Sequence, residues 1–336
     1  MTCIIVALRH DLHADAVVDK IATLSEVVRI DPFESPVSMQ MDSANFAECL
    51  IGRSRLKIDS ITGIFCRVAL ESIDFRHRDD PVARYAAKEY IGALSGFLLN
   101  VDEIHWVNFP WHEGRAEGKL FPMIKARNLG ISVPRFFVTN DAAILTDKSL
   151  GGGKWIIKPL TDSAIAKQAG KYVEIPDFAD FDAPYTAVFT PEKISSENID
   201  ATPVLIQERI DKKREIRVVA IDSQLFATAF DVEPGDALDG RLSKNRSETV
   251  YELPATISEK VLRLIHSLQL RFATLDFVVD ASGTFWLLDV NPSGNWLWQE
   301  LGNGLPISEA IARALCKRDM GRRWHQATTR LTPIAK

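Results

Sequence analysis

Two aspartates and an asparagine near the carboxyl end of this 336-residue chain stand where strand residues should be apolar. Asp276 lies in TLDFVV and Asp289 in LLDVN, each flanked by apolar residues. Asn291 is two residues past Asp289, so on an extended chain both side chains leave from one face. Carboxylates inside apolar strands are costly unless paired or bound to a cation. Two carboxylates and an amide oxygen form a hard-oxygen set suited to Mg²⁺, which keeps waters and takes phosphate oxygens as its other ligands. The same pattern also suits a simpler arrangement, with one aspartate capping a turn and the other paired with an arginine.

Cationic candidates lie upstream. Lys158 ends the apolar run WIIK and precedes Pro159; a lysine at a strand end can hold a phosphate as a point charge, or simply be solvated. Lys119 opens a helical pattern after Gly118 and is equally open to both readings. In LIQERIDKKREIRVV a buried strand meets Glu208, then a charged turn, then a strand with Glu215 and Arg217 on one face. Glu208 could accept from an exocyclic amine, Glu215 from ribose hydroxyls, and Arg217 could face a phosphate or an acyl-phosphate oxyanion. An ordinary hairpin with solvated charges would show the same residues.

The elements that would position these groups read as α/β. A strand over Cys3–Leu8, a helix over Asp11–Leu24 and a strand over Val27–Ile30 open the chain. Residues 33–60 give only weak alternation through Met39, Met41, Phe46 and Leu50. A strand follows over Ile61–Val68, then an amphipathic helix over Pro81–Leu99 and a strand over Ile104–Val107 ended by Asn108-Phe109-Pro110. The pattern restarts at Gly118 with a helix over Lys119–Leu129, closed by Gly130, which places a boundary near residue 115. Strands are expected at Phe136–Thr139, Trp155–Lys158, Lys171–Ile175, Tyr185–Phe189, Val204–Glu208, Glu215–Ile221 and Leu225–Phe230. The last elements are a helix over Ser258–Gln269, a hairpin over 272–290 turning at Asp280–Gly283, and a helix over Pro306–Lys317.

These clusters together resemble one family. GKLFPMIKARNLGISVP, WIIKP, QERI followed by E215IR, and LDFVV…LLDVNP resemble, in order, the central-domain opening, phosphate-lysine strand, adenine hinge with its ribose/phosphate strand, and metal hairpin of ATP-grasp ligases. WVNFP, VPRFFVTND, FTPEKI, QERIDKKREIRV and DVNPSGNWLWQE resemble the microviridin-type graspetide synthetases, which are ribosomal-peptide macrocyclases. The resemblance implies a pre-ATP-grasp domain over 1–115, a central subdomain over 116–203 and a carboxyl-terminal subdomain over 204–336 with the nucleotide and metal site. It further implies ATP phosphates on Lys119 and Lys158, the adenine amine on Glu208, and the adenine edge on the backbone of Arg209 and Ile210. Glu215 would hold ribose, Asp276, Asp289 and Asn291 would bind Mg²⁺, and Arg217 would be the catalytic group stabilising the phosphoryl in transfer. Three departures from the family stand out. Asp289 occupies a position usually held by Glu, Asn295 one usually held by Gln, and FCRVAL carries one arginine, Arg67, where many relatives have two.

The implied reaction is ATP-dependent activation of an Asp or Glu side chain of a precursor peptide as an acyl phosphate, followed by attack of a Thr, Ser or Lys side chain of the same peptide. A leader-bearing precursor peptide and a second copy of the chain are the partners the family implies. The alternatives are a ligase joining free amino acids or adding glutamate to a protein carboxyl terminus, and a nucleotide-binding regulator without ligation.

Composition narrows the classes. With 46% hydrophobic and 25% charged residues the chain is globular, and about 100–200 residues per domain gives two or three domains. A net charge of −5 argues against nucleic acid or anionic membrane as a partner. Cys3, Cys49, Cys66 and Cys316 form no CxxC, so reduced thiols in a cytoplasmic protein are expected. MTCIIVALRHD reaches Arg9 and His10 too soon for a membrane span or signal peptide. His10 and His13 have no evident third metal ligand, and Gly151–Gly153 lacks the context of a phosphate-binding loop. Arg241, Lys244 and Arg246 could steer an acidic peptide or form a solvated edge, and Trp296 and Trp298 are expected in the core.

Overall fold

A computed structural model describes residues 1–32, 39–42, 45–51, 54–68, 70, 80–141, 154–158, 160, 187–189, 203–232 and 247–317. The expected strand at 171–175, the glycines at 151–153 and the cations at 241–246 lie outside these residues.

The chain opens as β1 (Thr2–Val6), α1 (Leu12–Ile21) and β2 (Glu26–Ile30), with β1 and β2 parallel. Asp11 caps α1, its Oδ1 accepting the N–H groups of His13 (2.9 Å) and Ala14 (3.0 Å). The weakly patterned stretch after β2 folds as an antiparallel sheet of β3 (Met39–Asp42), β4 (Asn45–Ile51) and β5 (Ser54–Lys57). β3 and β5 present mostly solvated residues, so their apolar signal is thin. β6 (Ile61–Cys66) returns beside β1, and β7 (Trp106–Val107) adds to it, giving the parallel order β2-β1-β6-β7. α2 (Pro81–Leu98) runs between them, capped by Asp80 and carrying Pro81 in its first turn.

Sequence reading treats Asn108-Phe109-Pro110 only as the end of a strand. Pro110 in fact starts α3 (Pro110–Glu117), which covers residue 115, and α4 (Leu120–Asn128) follows. Gly130 adopts φ +73°, as a glycine closing a helix should.

An antiparallel sheet of order β10-β9-β11-β8 follows, from β8 (Phe136–Thr139), β9 (Trp155–Lys158), β10 (Ala187–Phe189) and β11 (Val204–Glu208). The largest sheet has order β14-β13-β12-β15-β16, from β12 (Lys212–Ile221), β13 (Gln224–Asp231), β14 (Glu248–Val250), β15 (Phe272–Asp280) and β16 (Phe285–Asn291). β12 starts at Lys212, before the expected Glu215, because its charged residues pair rather than turn: Arg214 Nε donates to Asp231 Oδ1 (2.7 Å) and Lys212 pairs with Glu215. The β15–β16 turn is capped by Asp280, whose Oδ1 accepts from Ser282 N and Thr284 N.

Alternation along β12 divides the work of its two faces. Ile216, Val218 and Ala220 pack with α5 (Ala255–Ser267). On the other face Val219 and Ile221 join Phe272, Trp296 and α7 (Ile307–Cys316) against β1 and α1. α6 (Leu297–Asn303), not foreseen in the sequence, precedes α7 and ends at Gly304 (φ +68°). Gly63 on β6 lets α7 approach, since a Cβ there would lie 2.5 Å from Leu315 O. No helix among the described residues is long and apolar enough to cross a membrane.

Asn108 locks this joint. Its Nδ2 donates to Phe272 O and Pro292 O, and its Oδ1 accepts from Arg271 N and Phe272 N, all at 2.9 Å, with the residue 1% exposed. Asn108→Ala orphans four buried backbone groups and should destabilise the protein by more than about 3 kcal/mol, measurable by denaturant unfolding; a loss below about 1 kcal/mol would remove Asn108 from this role.

A buried carboxyl and a half-buried imidazole beside the joint make stability depend on pH. Burial, then the nearby Glu117 charge, pushes the Glu113 carboxyl up to about 8, against the opposing Arg67. Burial and Arg67 hold His13 down at about 4. Between 4.5 and about 8 the folded state keeps a proton on Glu113 that the unfolded chain releases, so this residue's contribution falls as pH rises. His13 acts oppositely from about 4 to 6.5, so above pH 6.5 the Glu113 trend stands without that opposition. Glu113→Gln should therefore flatten the decline in Tm between pH 6.5 and about 8; parallel curves for the two proteins would show that Glu113 is ionised when folded.

Candidate functional site

Strand register builds the centre of the site. Arg217 on β12 pairs with Asp276 on β15, and Asp276 pairs with Asp289 on β16. The three residues form one row on one face, and Asn291 lies in the next row opposite Thr274. A bulge beside Asp276 adjusts the register of β16, so that Phe277 faces Leu287 while Asp276 still faces Asp289.

The electrostatics of this row are unbalanced. Burial, then the facing Asp276, raises the Asp289 carboxyl above the ordinary carboxylate range, while Lys158 and Lys119 pull it back. Arg217 Nη1 donates to both Asp276 oxygens, at 2.6 and 2.7 Å, and its Nη2 donates to Asn295 O at 3.3 Å. Arg217 Nε is buried without a partner. Both arrangements weighed from the sequence have a counterpart here: Asp276 pairs with an arginine, but the turn-capping aspartate is Asp280, which leaves Asp276 and Asp289 side by side.

Two carboxylates facing each other with an amide oxygen nearby fit a divalent cation, which would relieve their repulsion. Asn291 Oδ1 accepts the Ser293 N–H at 2.9 Å and the Ser293 Oγ–H at 3.3 Å, which fix its orientation. Mg²⁺ would thus be held by Asp276, Asp289 and Asn291.

Lys119, at the start of α4, and Lys158, at the end of β9, approach Asp289 from separate elements. β16 is tied to the segment after α4 by Leu287 N donating to Ser132 O (2.9 Å). The structure therefore gathers Lys119, Lys158, Arg217, Asp276, Asp289 and Asn291 around one centre. Glu215 lies two residues before Arg217 on the same face and is paired with Lys212.

The nucleotide-base end differs from the sequence reading. In the β9–β11 register Lys158 faces Leu205, Ile156 faces Gln207 and Trp155 faces Glu208. Alternation puts the Gln207 side chain on the face of Lys158 and the Glu208 side chain on the other. Glu208, expected to hold an adenine amine, therefore sits on the wrong face to share a ligand with Lys158. Gln207 is fully buried with neither amide atom hydrogen-bonded. A buried primary amide without partners fits the donor and acceptor edge of a purine. In the sequence it is a polar residue closing an apolar strand, next to Glu208, to which the family resemblance assigns the adenine amine. The Arg209 N–H donates to Lys154 O (2.8 Å), which leaves the Arg209 carbonyl and the Ile210 backbone for the base edge.

Trp296 is buried, as expected, and stacks on His13 with ring centroids 4.4 Å apart; Trp298 lies over Phe230 at 5.5 Å. No group of three or more His, Cys, Asp or Glu residues able to hold a metal occurs among the described residues, His10 and His13 included.

An α/β chain with this antiparallel sheet pair and cationic centre has the ATP-grasp fold. The solved structures it is similar to include macrocyclase MdnC bound with precursor peptide MdnA from Microcystis aeruginosa MRC, with TM-score 0.74 and 23% identity over 94% of this chain and 99% of that one. The Chryseobacterium gregarium RiPP-associated ATP-grasp ligase, in complex with ADP and a leader and core peptide, matches with TM-score 0.73 and 19% identity over 94% and 96%. The ATP-grasp ligase PsnB, complexed with minimal precursor, Mg and ADP, matches with TM-score 0.71 and 19% identity over 93% and 96%. No family model and no curated protein sequence matches the chain.

If Lys158 holds a nucleotide phosphate, Lys158→Met should weaken Mg–ADP binding by about tenfold or more, since hydrogen bonds to charged groups contribute about 1.5–3 kcal/mol. Titration calorimetry measures this, and unchanged affinity would take Lys158 out of the site.

Proposed function

We propose that this protein is an ATP-dependent ligase that activates carboxylate side chains of a ribosomal precursor peptide and closes them onto hydroxyl or amine side chains of the same peptide. The observation that carries this reading is the row Arg217–Asp276–Asp289, with Lys119 and Lys158 near enough to oppose the rise of the Asp289 carboxyl. A carboxylate does not react with an alcohol or amine at neutral pH. Transfer of the terminal phosphoryl of ATP to a carboxylate oxygen releases ADP and leaves an acyl phosphate. The peptide's own hydroxyl or amine then attacks the carbonyl carbon, expels phosphate and loses its proton, forming an ester or amide.

Positioning and charge neutralisation carry most of such a transfer. Lys119 and Lys158 hold the phosphates, Gln207 and the Arg209 and Ile210 backbone hold the base, and Glu215 holds the ribose. Mg²⁺, when bound to Asp276, Asp289 and Asn291, supplies Lewis-acid neutralisation of the phosphate oxygens. Arg217 now bridges the Asp276 carboxylate; with Asp276 engaged by Mg²⁺, its guanidinium would be available to the transferring phosphoryl.

The solved structures similar to this chain hold precursor peptides, and this supports a peptide over a free amino acid as the substrate. The division at 115 and 203, the homodimer and the cytoplasmic location belong to the same proposal.

The test is intact-mass spectrometry of the small peptide encoded beside the gene, after incubation with enzyme, ATP and Mg²⁺. Loss of one water mass per bond, dependent on ATP and absent with Asp289→Ala, is the expected result. An unchanged peptide, with ADP formed only when free amino acids are added, would replace the macrocyclase reading with a small-molecule ligase.

A further inference from the structure

Resting on the ATP–metal site proposed above, we infer that Arg67, on the amino-terminal sheet, is a positioning residue for the metal-binding end of β16. Arg67 follows β6 and its side chain is 8% exposed. Every donor group of its guanidinium is directed. Nε donates to Asp11 Oδ2 (3.1 Å), Nη1 to Ser293 O (2.7 Å) and Nη2 to Asn295 Oδ1 (3.1 Å). Its guanidinium carbon lies 5.3 Å from the ring centroid of buried Trp296. Its own N–H is held by Val6 O at 2.8 Å, so the base of the side chain is anchored in the parallel sheet.

The residues it grips are the ones that orient the site. Ser293, held through its carbonyl by Arg67, donates its N–H to Asn291 Oδ1. Asn295, held through its side chain by Arg67, offers its own carbonyl to Arg217. One guanidinium outside the ATP-grasp sheets therefore sets the loop that aims a metal ligand on one side and steadies the phosphoryl-facing arginine on the other. Gly294 between them lies so close to β15 that a Cβ would fall 1.8 Å from Thr274 Oγ1, so the loop has one path to follow. The Asp11 carboxylate is shared, one oxygen capping α1 and the other holding Arg67, which ties α1 to the same contact. Asp11 takes one of its three nitrogens; the other two donate to the loop after Asn291, which is what the positioning role requires.

Lysine cannot span Asp11, Ser293 and Asn295 at once, because it brings a point charge instead of a planar fork. Removing partners that orient metal ligands lowers metal affinity or activity by about 10–100-fold. The experiment compares wild type, Arg67→Lys, Asn295→Ala and the double variant. It uses Mg²⁺ titrated calorimetrically into protein with saturating ADP, together with kcat and the KM for ATP. Asn295 is exposed, so Asn295→Ala keeps the fold and removes only the acceptor. The expected result is a Mg²⁺ affinity lowered about tenfold or more in both single variants, a larger change in kcat than in KM, and a double variant no worse than the weaker single one. Wild-type Mg²⁺ affinity in Arg67→Lys or Asn295→Ala, or losses that multiply in the double variant, would overturn the positioning role. Asp289→Ala in the same titration separates the two readings. If it loses Mg²⁺ while the Arg67 and Asn295 variants keep it, the positioning proposal alone fails. If it also binds Mg²⁺ as wild type does, the metal site itself is misplaced and both readings fall.

Discussion

Two carboxylates stand face to face in this protein's carboxyl-terminal sheet. Asp276 and Asp289 oppose each other across β15 and β16, and desolvation together with the facing Asp276 raises the Asp289 carboxyl. The neighbouring structure is arranged to tolerate this. A guanidinium bridges one carboxylate, two lysines from separate elements act on the other, and a bulge adjusts the strand so the pair stays opposed. Groups assembled at this expense of stability are common at sites where charge must be handled, and rare elsewhere. A divalent cation held by the pair would relieve the repulsion.

The same strands serve a second purpose farther along. On β12 the face that bears Glu215 and Arg217 becomes, within one more alternation, the face whose Val219 and Ile221 pack against β1, α1 and α7. Reactive row and structural joint are continuous in one strand, so a shift of one is a shift of the other. Asn108 and Arg271 reinforce the joint with buried polar contacts. Asn108 bonds the backbone of β15 and the loop after β16, and Arg271 pairs with Asp222 while donating to Ala314 O at 3.2 Å. Such networks, fully satisfied, specify a single arrangement of the elements they join.

Much of this was legible in the residues. WIIK, VLIQE and TLDFVV…LLDVN announce their strands because long apolar runs leave few alternatives, and the aspartates are conspicuous by contrast. The helix at 81–98 is readable from its spacing and its proline. The stretch from 33 to 60 was not, since three short strands on a mostly solvated sheet give only a faint alternating signal. α3 was hidden because Asn108-Phe109-Pro110 signals a stop as well as a start, and Gly114 dilutes its helical pattern. At the site, spacing put Asp289 and Asn291 on a common face, as the strand register does, but it could not tell which face of β11 lies beside Lys158. That choice depends on which strand lies alongside, a pairing between residues some fifty positions apart. Arg67 was noted only as a solitary arginine; its partners at 293 and 295 are distant in sequence and close only in the fold.

The meeting of Cys3 and Cys316 carries a consequence for how the molecule is made. These free thiols, 313 positions apart, lie with their Sγ atoms 3.6 Å from one another, and α7 covers β1 and β6 through Ile307, Ile311 and Leu315. A ribosome delivers β1 first and α7 after almost every other described element. The amino-terminal sheet thus emerges with one apolar face covered by α1 but still lacking α7, and keeps it so for nearly the whole of translation. At about 5–20 residues per second that interval is roughly 15–60 s, long enough for a nascent chain to engage a chaperone. A nascent chain of this protein therefore presents β1 long before α7, the last of the described helices, can pack near it.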